Sequence, residues 1–183
     1  RRCLVGSEMC IRDSLNNIEN EVLDFLEIDR KLKSDRTKMY SEALTKTFNK
    51  GIELGFLNKE LKEFDLEKIS NSIDESRDFN FTYLGLQTLY DRYFITSDDT
   101  RYELPQVFLM RVAMGLAINE KDRDARAVEF YNLLSSFDYM SSTPTLFNSG
   151  THRPQLSSCY LTTVPDDLSG IYGAIRDLSL IHI

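Results

Sequence analysis

From Pro105 to Ala117 the chain reads PQVFLMRVAMGLA, and almost nothing in that run prefers water. Phe108, Leu109, Val112, Ala113, Leu116 and Ala117, with Met110 and Met114 between them, leave no polar stripe. A helix that is apolar nearly all round has no face to give to solvent, so other elements must surround it. The run is too short to span a bilayer, which takes about 20 apolar residues. It therefore predicts a central helix in a bundle, and the rest of the chain must supply the helices that wrap it. Pro105 suits the first turn, where its missing N–H is not needed. The two methionines read as gap-filling core rather than metal ligands.

The predicted wrapping helices are amphipathic. Between Ile18 and Leu32, the residues Ile18, Val22, Phe25 and Leu26 recur at helical spacing, and acidic and basic residues fill the opposite face. Tyr40, Leu44, Phe48 and Ile52 fall four apart, with Ala43 alongside and Gly55 as a natural stop. Asp65 is placed to cap a helix carrying Leu66, Ile69 and Ile73, and Asp122 to cap one carrying Ala127, Phe130, Tyr131 and Leu134. The aromatic run DESRDFNFTYLGLQTLYDRYF, Asp74–Phe94, has the density of a base-stacking platform. No basic groove accompanies it, and Leu86, Leu89, Tyr90 and Tyr93 have the spacing of a packed helix. Ile95–Tyr102 reads as a turn-rich excursion or short β-ribbon with Asp98 and Asp99 solvated at its tip. The helical unit is predicted to end near Phe137.

The 183 residues carry a net charge of -7, which leaves no basic face for phosphate backbones or anionic lipid. With no apolar run long enough for a membrane span and no signal-peptide core, a cytoplasmic protein is the default expectation, with neither membrane nor nucleic acid as a partner. Cys3, Cys10 and Cys159 match no zinc spacing, and a chain this poor in cysteine predicts no disulfide framework. The ends, RRCLVGSEMCIRDS (1–14) and LSLIHI (178–183), read as translated adapter sequence that joins its neighbours in no clean periodic pattern. That leaves a helical domain over 15–138 and a second segment over 139–177.

In the second segment the character changes. Ser142–Thr145 and Asn148–Gly150 read as a polar loop, Ser157–Thr163 as an apolar strand, and Pro165, Asp166, Asp167 as a break before a helix from Leu168 to Ile175. Loop, strand, acidic turn and helix are the opening of an α/β unit. Cys159 lies at the mouth of that strand, with hydroxyls beside it. By itself, such a cysteine is more often a small buried residue than a redox or nucleophilic thiol. Thr143 before Pro144 would be a turn hydroxyl, and Asp166 or Asp167 an N-cap for the following helix.

The run STPTLFNSGTHRPQLSSCYL, Ser142–Leu161, followed by Asp166, Asp167 and Leu168, closely resembles the large, catalytic subunit of class I ribonucleotide reductase. The aromatic run before Phe94 and the helix after Pro105 resemble the same family's all-helical N-terminal domain. The resemblance covers most of Met39–Ile175. It implies a mainly α chain: a helical domain followed by the first strand and helix of a truncated ten-stranded α/β barrel. It implies that Cys159 is one of two cysteines that reduce the substrate ribose and become a disulfide. It makes Thr143 a contact to the substrate phosphates, Ser158 a substrate-binding residue beside the thiol, and Asp166, Asp167 and Leu168 part of an effector site.

The implied partners are a ribonucleoside diphosphate, ATP or deoxynucleotide effectors, a small metal-containing subunit that generates the radical, a thioredoxin or glutaredoxin type reductant, and a second large subunit. No cofactor is expected on this stretch itself. The second cysteine, the radical-bearing cysteine, its assisting acid and the tyrosine pair lie outside this chain in the family, and no ATP-binding cone is identifiable before Met39. The chain alone is expected to be inactive. Two further readings are a helical interaction module with a structural Cys159, and a B12-dependent or anaerobic relative.

Overall fold

The computed structural model describes residues 8–180. Its helices are α1 (Glu8–Phe25), α2 (Arg36–Glu53), α3 (Leu66–Ser70), α4 (Tyr83–Arg92), α5 (Pro105–Ala117), α6 (Arg123–Ser135), α7 (Thr143–Asn148) and α8 (Leu168–Leu180). Short 3-10 turns at Arg30–Ser34, Lys59–Glu63 and Glu75–Asn80 link the early helices, and β1 (Thr96–Ser97) pairs antiparallel with β2 (Thr100–Arg101). Asp98 and Asp99 form the tip of that ribbon with φ of 48° and 62°, the left-handed pair a two-residue hairpin of this hand requires.

The central helix sits where its composition requires. Every residue of α5 from Pro105 to Met114 is buried, and so is Ala117. Its largest contact is with α6, through Ala127, Tyr131 and Leu134. Met39, Tyr40, Ala43, Leu44 and Phe48 of α2 and Leu15, Ile18, Val22 and Leu23 of α1 complete the same core. Each fully buried side chain of this size contributes about 1.5–3 kcal/mol of apolar transfer. The caps fall as the sequence predicts: Asp65 accepts from the Lys68 N–H at 3.1 Å and Asp122 from the Ala125 N–H at 3.2 Å. Gly55, at φ 77°, follows the end of α2 in the conformation that glycine adopts without penalty.

Two polar residues on α5, Gln106 and Arg111, are fully buried, and each has its partners. Gln106 donates to Asp78 at 2.9 Å and accepts from the Tyr131 hydroxyl at 2.9 Å. Asp78 in turn accepts from Arg36 at 2.7 Å and from the Tyr40 hydroxyl. Arg36 continues to Glu19 on α1, which also pairs with Lys33 at 3.2 Å. One polar chain thus ties α1, α2, α5, α6 and the Glu75–Asn80 turn together inside an otherwise apolar core. Burial pushes the Asp78 carboxyl up to about 6, against the hydrogen bonds from Tyr40 and Gln106 and the Arg36 charge, which pull it down.

The structure differs from the sequence expectation at several places. The first helix does not run from Ile18 to Leu32. It begins at Glu8 and stops at Phe25, where Glu27 turns to φ 53° and the Ile28 N–H reaches back to the Leu23 carbonyl at 2.9 Å. The predicted break at residue 14 is absent, because buried Cys10, Ile11, Leu15 and Ile18 carry the helical period straight through it. Likewise α8 continues past Asp177. Cys10 is disulfide-bonded, contrary to the expectation for so few cysteines, whereas Cys3 and the terminal residues 181–183 lie outside the described residues. Among the described residues Ser157–Thr163 is not a strand: it has no regular structure and no ladder partner, and a lone strand leaves its N–H and C=O groups unpaired. Where a polar loop was expected after Ser142, the chain forms α7, with Pro144 in the first turn and Leu146 buried beneath it. No helix among the described residues is long and apolar enough to cross a membrane.

Candidate functional site

The site hangs from α5. At Gly115 an added Cβ would lie 2.0 Å from the Gly150 nitrogen, so α5 approaches the Ser149–Gly150 turn as closely as backbone allows. Ser149 donates its hydroxyl to the Val112 carbonyl at 2.7 Å, and Arg111 donates to the Ser149 carbonyl at 2.5 Å. Arg111 is itself held by a fully buried ion pair with Glu103 at 2.6 Å. Gly150 takes φ 76°, and a side chain there would meet Arg111 at 2.9 Å. On the opposite side the Asn58 N–H donates to the Gly150 carbonyl at 3.0 Å, and the His152 N–H donates to the Phe56 carbonyl at 2.9 Å. Ser149–His152 is therefore clamped between α5 and the loop after α2.

That clamp orients α7 and the residues C-terminal to it. Thr145 donates to the Leu156 carbonyl at 3.2 Å, and Asn148 donates through its amide to the Gln155 carbonyl at 2.8 Å. The chain is thereby laid along α7 up to Leu156. Thr143 is exposed at the start of α7, its hydroxyl 3.3 Å from that of Tyr93. The Tyr93 ring stacks on Phe147 with centroids 4.5 Å apart.

Beyond Leu156 the anchoring ends. Among the described residues, no backbone hydrogen bond engages 157–166, and the one side-chain hydrogen bond there joins the Gln155 amide to the Tyr160 hydroxyl. Ser158 and Cys159 are exposed, and Cys159 is a free thiol. No hydrogen bond among the described residues joins either to Thr143. The bland alternative of a small buried cysteine does not describe Cys159. Asp166 is exposed, and Asp167 accepts from the Gly170 N–H at 2.9 Å, capping α8 as a helix-start aspartate does. Leu168 is exposed, as are Ile171, Tyr172, Ile175 and Leu178 along the same helix. Among the described residues no cluster of three or more His, Cys, Asp or Glu has metal-binding geometry.

The sequence reading gives no site role to Arg111, Glu103, Ser149, Thr145, Asn148 or Tyr93. Only Arg111 left a signal, as the single charge in the apolar helix. The others act through contacts made across long stretches of chain.

The family model described as "Ribonucleotide reductase, all-alpha domain" matches residues 79–154, from the Glu75–Asn80 turn through the clamp. Ribonucleoside-diphosphate reductase subunit alpha of Chlamydia muridarum is 57% identical over 126 residues, 68% of this chain. The chain belongs to the ribonucleotide reductase large-subunit family. The alpha subunit of Helicobacter pylori strain 26695 is 44% identical over 140 residues, 75% of this chain, and the large subunit of Danio rerio is 35% identical over 159 residues, 82% of it. The chain spans 12%, 18% and 20% of these three relatives' lengths respectively. What it holds of a ribonucleotide reductase large subunit is therefore the helical scaffold and the stretch that hangs from it.

Proposed function

We propose that this chain is part of a class I ribonucleoside-diphosphate reductase and carries half of its substrate-reducing dithiol. The ribose 2′-hydroxyl leaves as water, and Cys159 with a second cysteine elsewhere in the enzyme supplies the two electrons and becomes a disulfide. A thioredoxin or glutaredoxin then restores the thiols by exchange, which needs a reachable sulfur. The radical that starts the reaction comes from a small metal-containing subunit. Thr143 donates to substrate phosphate, Ser158 binds substrate beside the thiol, and Asp166, Asp167 and Leu168 meet a nucleotide effector while Asp167 keeps its capping bond.

The observation that carries this reading is the exposed, free Cys159 thiol three residues beyond the last point pinned to the helix that begins with Thr143. In the whole enzyme, Ser157–Thr163 becomes the first strand of the ten-stranded α/β barrel, its open N–H and C=O groups paired by strands outside this chain. The exposed apolar residues of α8 suit a dimer of large subunits. The enzyme works in the cytoplasm, and the chain alone is inactive. Residues 1–14 and 178–183 keep their reading as adapter-derived, since a continuous helix says nothing of where its residues came from, and resequencing the locus decides it.

The test is diphosphate reduction by the full-length large subunit with its small subunit and a dithiol donor. Cys159→Ser is expected to abolish multiple turnover. Full multiple-turnover activity in that variant would remove the sulfur from the reaction.

A further inference from the structure

We infer that Tyr93 is a positioning residue for the Thr143 hydroxyl, and the inference rests on the phosphate role proposed for Thr143. Tyr93 stands at the end of α4, its N–H bonded to the Leu89 carbonyl at 2.9 Å. Its ring is held on two sides: stacked on Phe147 of α7 at 4.5 Å, and edge-on to Phe108 of α5 at 6.4 Å. A ring gripped this way leaves its hydroxyl little freedom, and that hydroxyl lies 3.3 Å from Thr143 Oγ1.

Either oxygen can be the donor in the free chain. A phosphate oxygen removes the ambiguity, because it only accepts. Thr143 must then spend its single proton on the ligand, and its lone pairs are left to receive the Tyr93 O–H. The result is a chain from the Tyr93 O–H to Thr143 Oγ1, and from the Thr143 O–H to the phosphate. Each bond polarises the next. A helical threonine divides between two χ1 rotamers, so a fixed partner for Oγ1 selects the rotamer that presents the proton. Tyr93 itself touches no substrate and acts only through Thr143.

Tyr93→Phe deletes the hydroxyl and keeps both ring contacts, so it separates positioning from packing. The experiment is steady-state kinetics of the full-length large subunit with its small subunit, comparing wild type, Tyr93→Phe, Thr143→Val and the double variant. Losing one neutral hydrogen bond predicts a rise in KM for the diphosphate of about threefold to tenfold, with kcat little changed. In the Thr143→Val background, Tyr93→Phe is expected to add nothing further. A raised KM in Thr143→Val with an unchanged KM in Tyr93→Phe overturns the positioning role and leaves the phosphate role standing. An equal rise in both backgrounds, or a loss confined to kcat, also overturns it. An unchanged KM in Thr143→Val removes the phosphate role and the positioning role together.

Discussion

Replacing Arg111 with methionine tests what holds the site to the helical core. Methionine keeps most of the apolar stem while deleting the guanidinium, and with it the cation–π contact to the Phe108 ring. Three hydrogen bonds disappear: two to Glu103, at 2.6 and 3.3 Å, and one to the Ser149 carbonyl at 2.5 Å. Glu103 is left fully buried with only the Ile95 N–H as donor, at 2.9 Å. Removing one partner of a buried ion pair costs about 3–5 kcal/mol, because the other charge stays desolvated and uncompensated. For a chain of this size that is a fall in Tm on the order of 10 °C. Urea unfolding of the 183-residue chain followed by circular dichroism measures the cost. Amide exchange at Asn58 and His152, whose N–H groups close the other side of the clamp, reports whether the turn loosens. Glu103→Gln together with Arg111→Met is expected to recover at least about 1 kcal/mol relative to additivity, since neither charge is then stranded. A loss below about 1 kcal/mol for Arg111→Met, or strict additivity in the double variant, would refute the claim that this pair anchors the turn.

Gly115→Ala is expected to cost about 1–3 kcal/mol by forcing the Ser149–Gly150 backbone away from α5, whereas Gly173→Ala in α8, where an added Cβ meets nothing within 4 Å, should be neutral or mildly stabilising; equal effects in urea melts would show that the close approach is not what matters. Asp78, raised from 3.8 to about 6 in the fold, keeps a proton between those values that the unfolded chain releases, so its contribution to stability is greatest in acid and is lost as pH rises through about 6. The stability of Asp78→Asn minus that of wild type should therefore rise by up to about 3 kcal/mol from pH 4 to pH 7, and a flat difference would place the carboxyl in an ordinary environment. Asp167→Ala should fray the start of α8 and cost about 0.5–2 kcal/mol of helix stability, read as faster amide exchange at Gly170; unchanged exchange would deny the cap.

How much of the fold and site was legible in the sequence depends on how local each determinant is. Helical period, capping aspartates, Pro105 and the Asp98–Asp99 tip are written within a few residues, and the structure has them where the spacing puts them. Helix ends were harder: nothing near Phe25 marks the left-handed turn at Glu27, which is set by Ile28 reaching its place in the core. The Ser157–Thr163 strand had the right composition and failed for want of a partner, because a strand is a property of two segments and periodicity reports one. α7 was missed for the converse reason: its residues look like a loop, and burial of Leu146 with the Ser149–Gly150 clamp makes it a helix. At the site, residue types with intrinsic chemistry were visible, Cys159 above all, whereas Asn148, Thr145 and Tyr93 act through partners that no local pattern reveals.

The gradient of anchoring along the site bears directly on the proposed chemistry. Ser149–His152 is bonded on both sides, Gln155–Leu156 on one, and the backbone of 157–166 on none among the described residues. A thiol fixed within the clamp would be well placed against a bound sugar but poorly placed to meet a protein reductant, since exchange needs in-line access to sulfur. A thiol beyond all anchoring would be reachable but would incur an ordering cost of about 1–2 kcal/mol per residue each time substrate bound. Cys159, three residues past the last bond to α7 and one residue before Tyr160, whose hydroxyl is held by the Gln155 amide, sits between these limits. If strands outside this chain pair Ser157–Thr163 in the whole enzyme, that ordering cost is met once, during folding. The hydroxyl of Thr143 and the sulfur of Cys159 would then be held by two independent supports, the α5 clamp and the barrel ladder. Loosening the clamp should weaken phosphate binding through Thr143 while leaving the reactivity of the Cys159 thiol nearly unchanged.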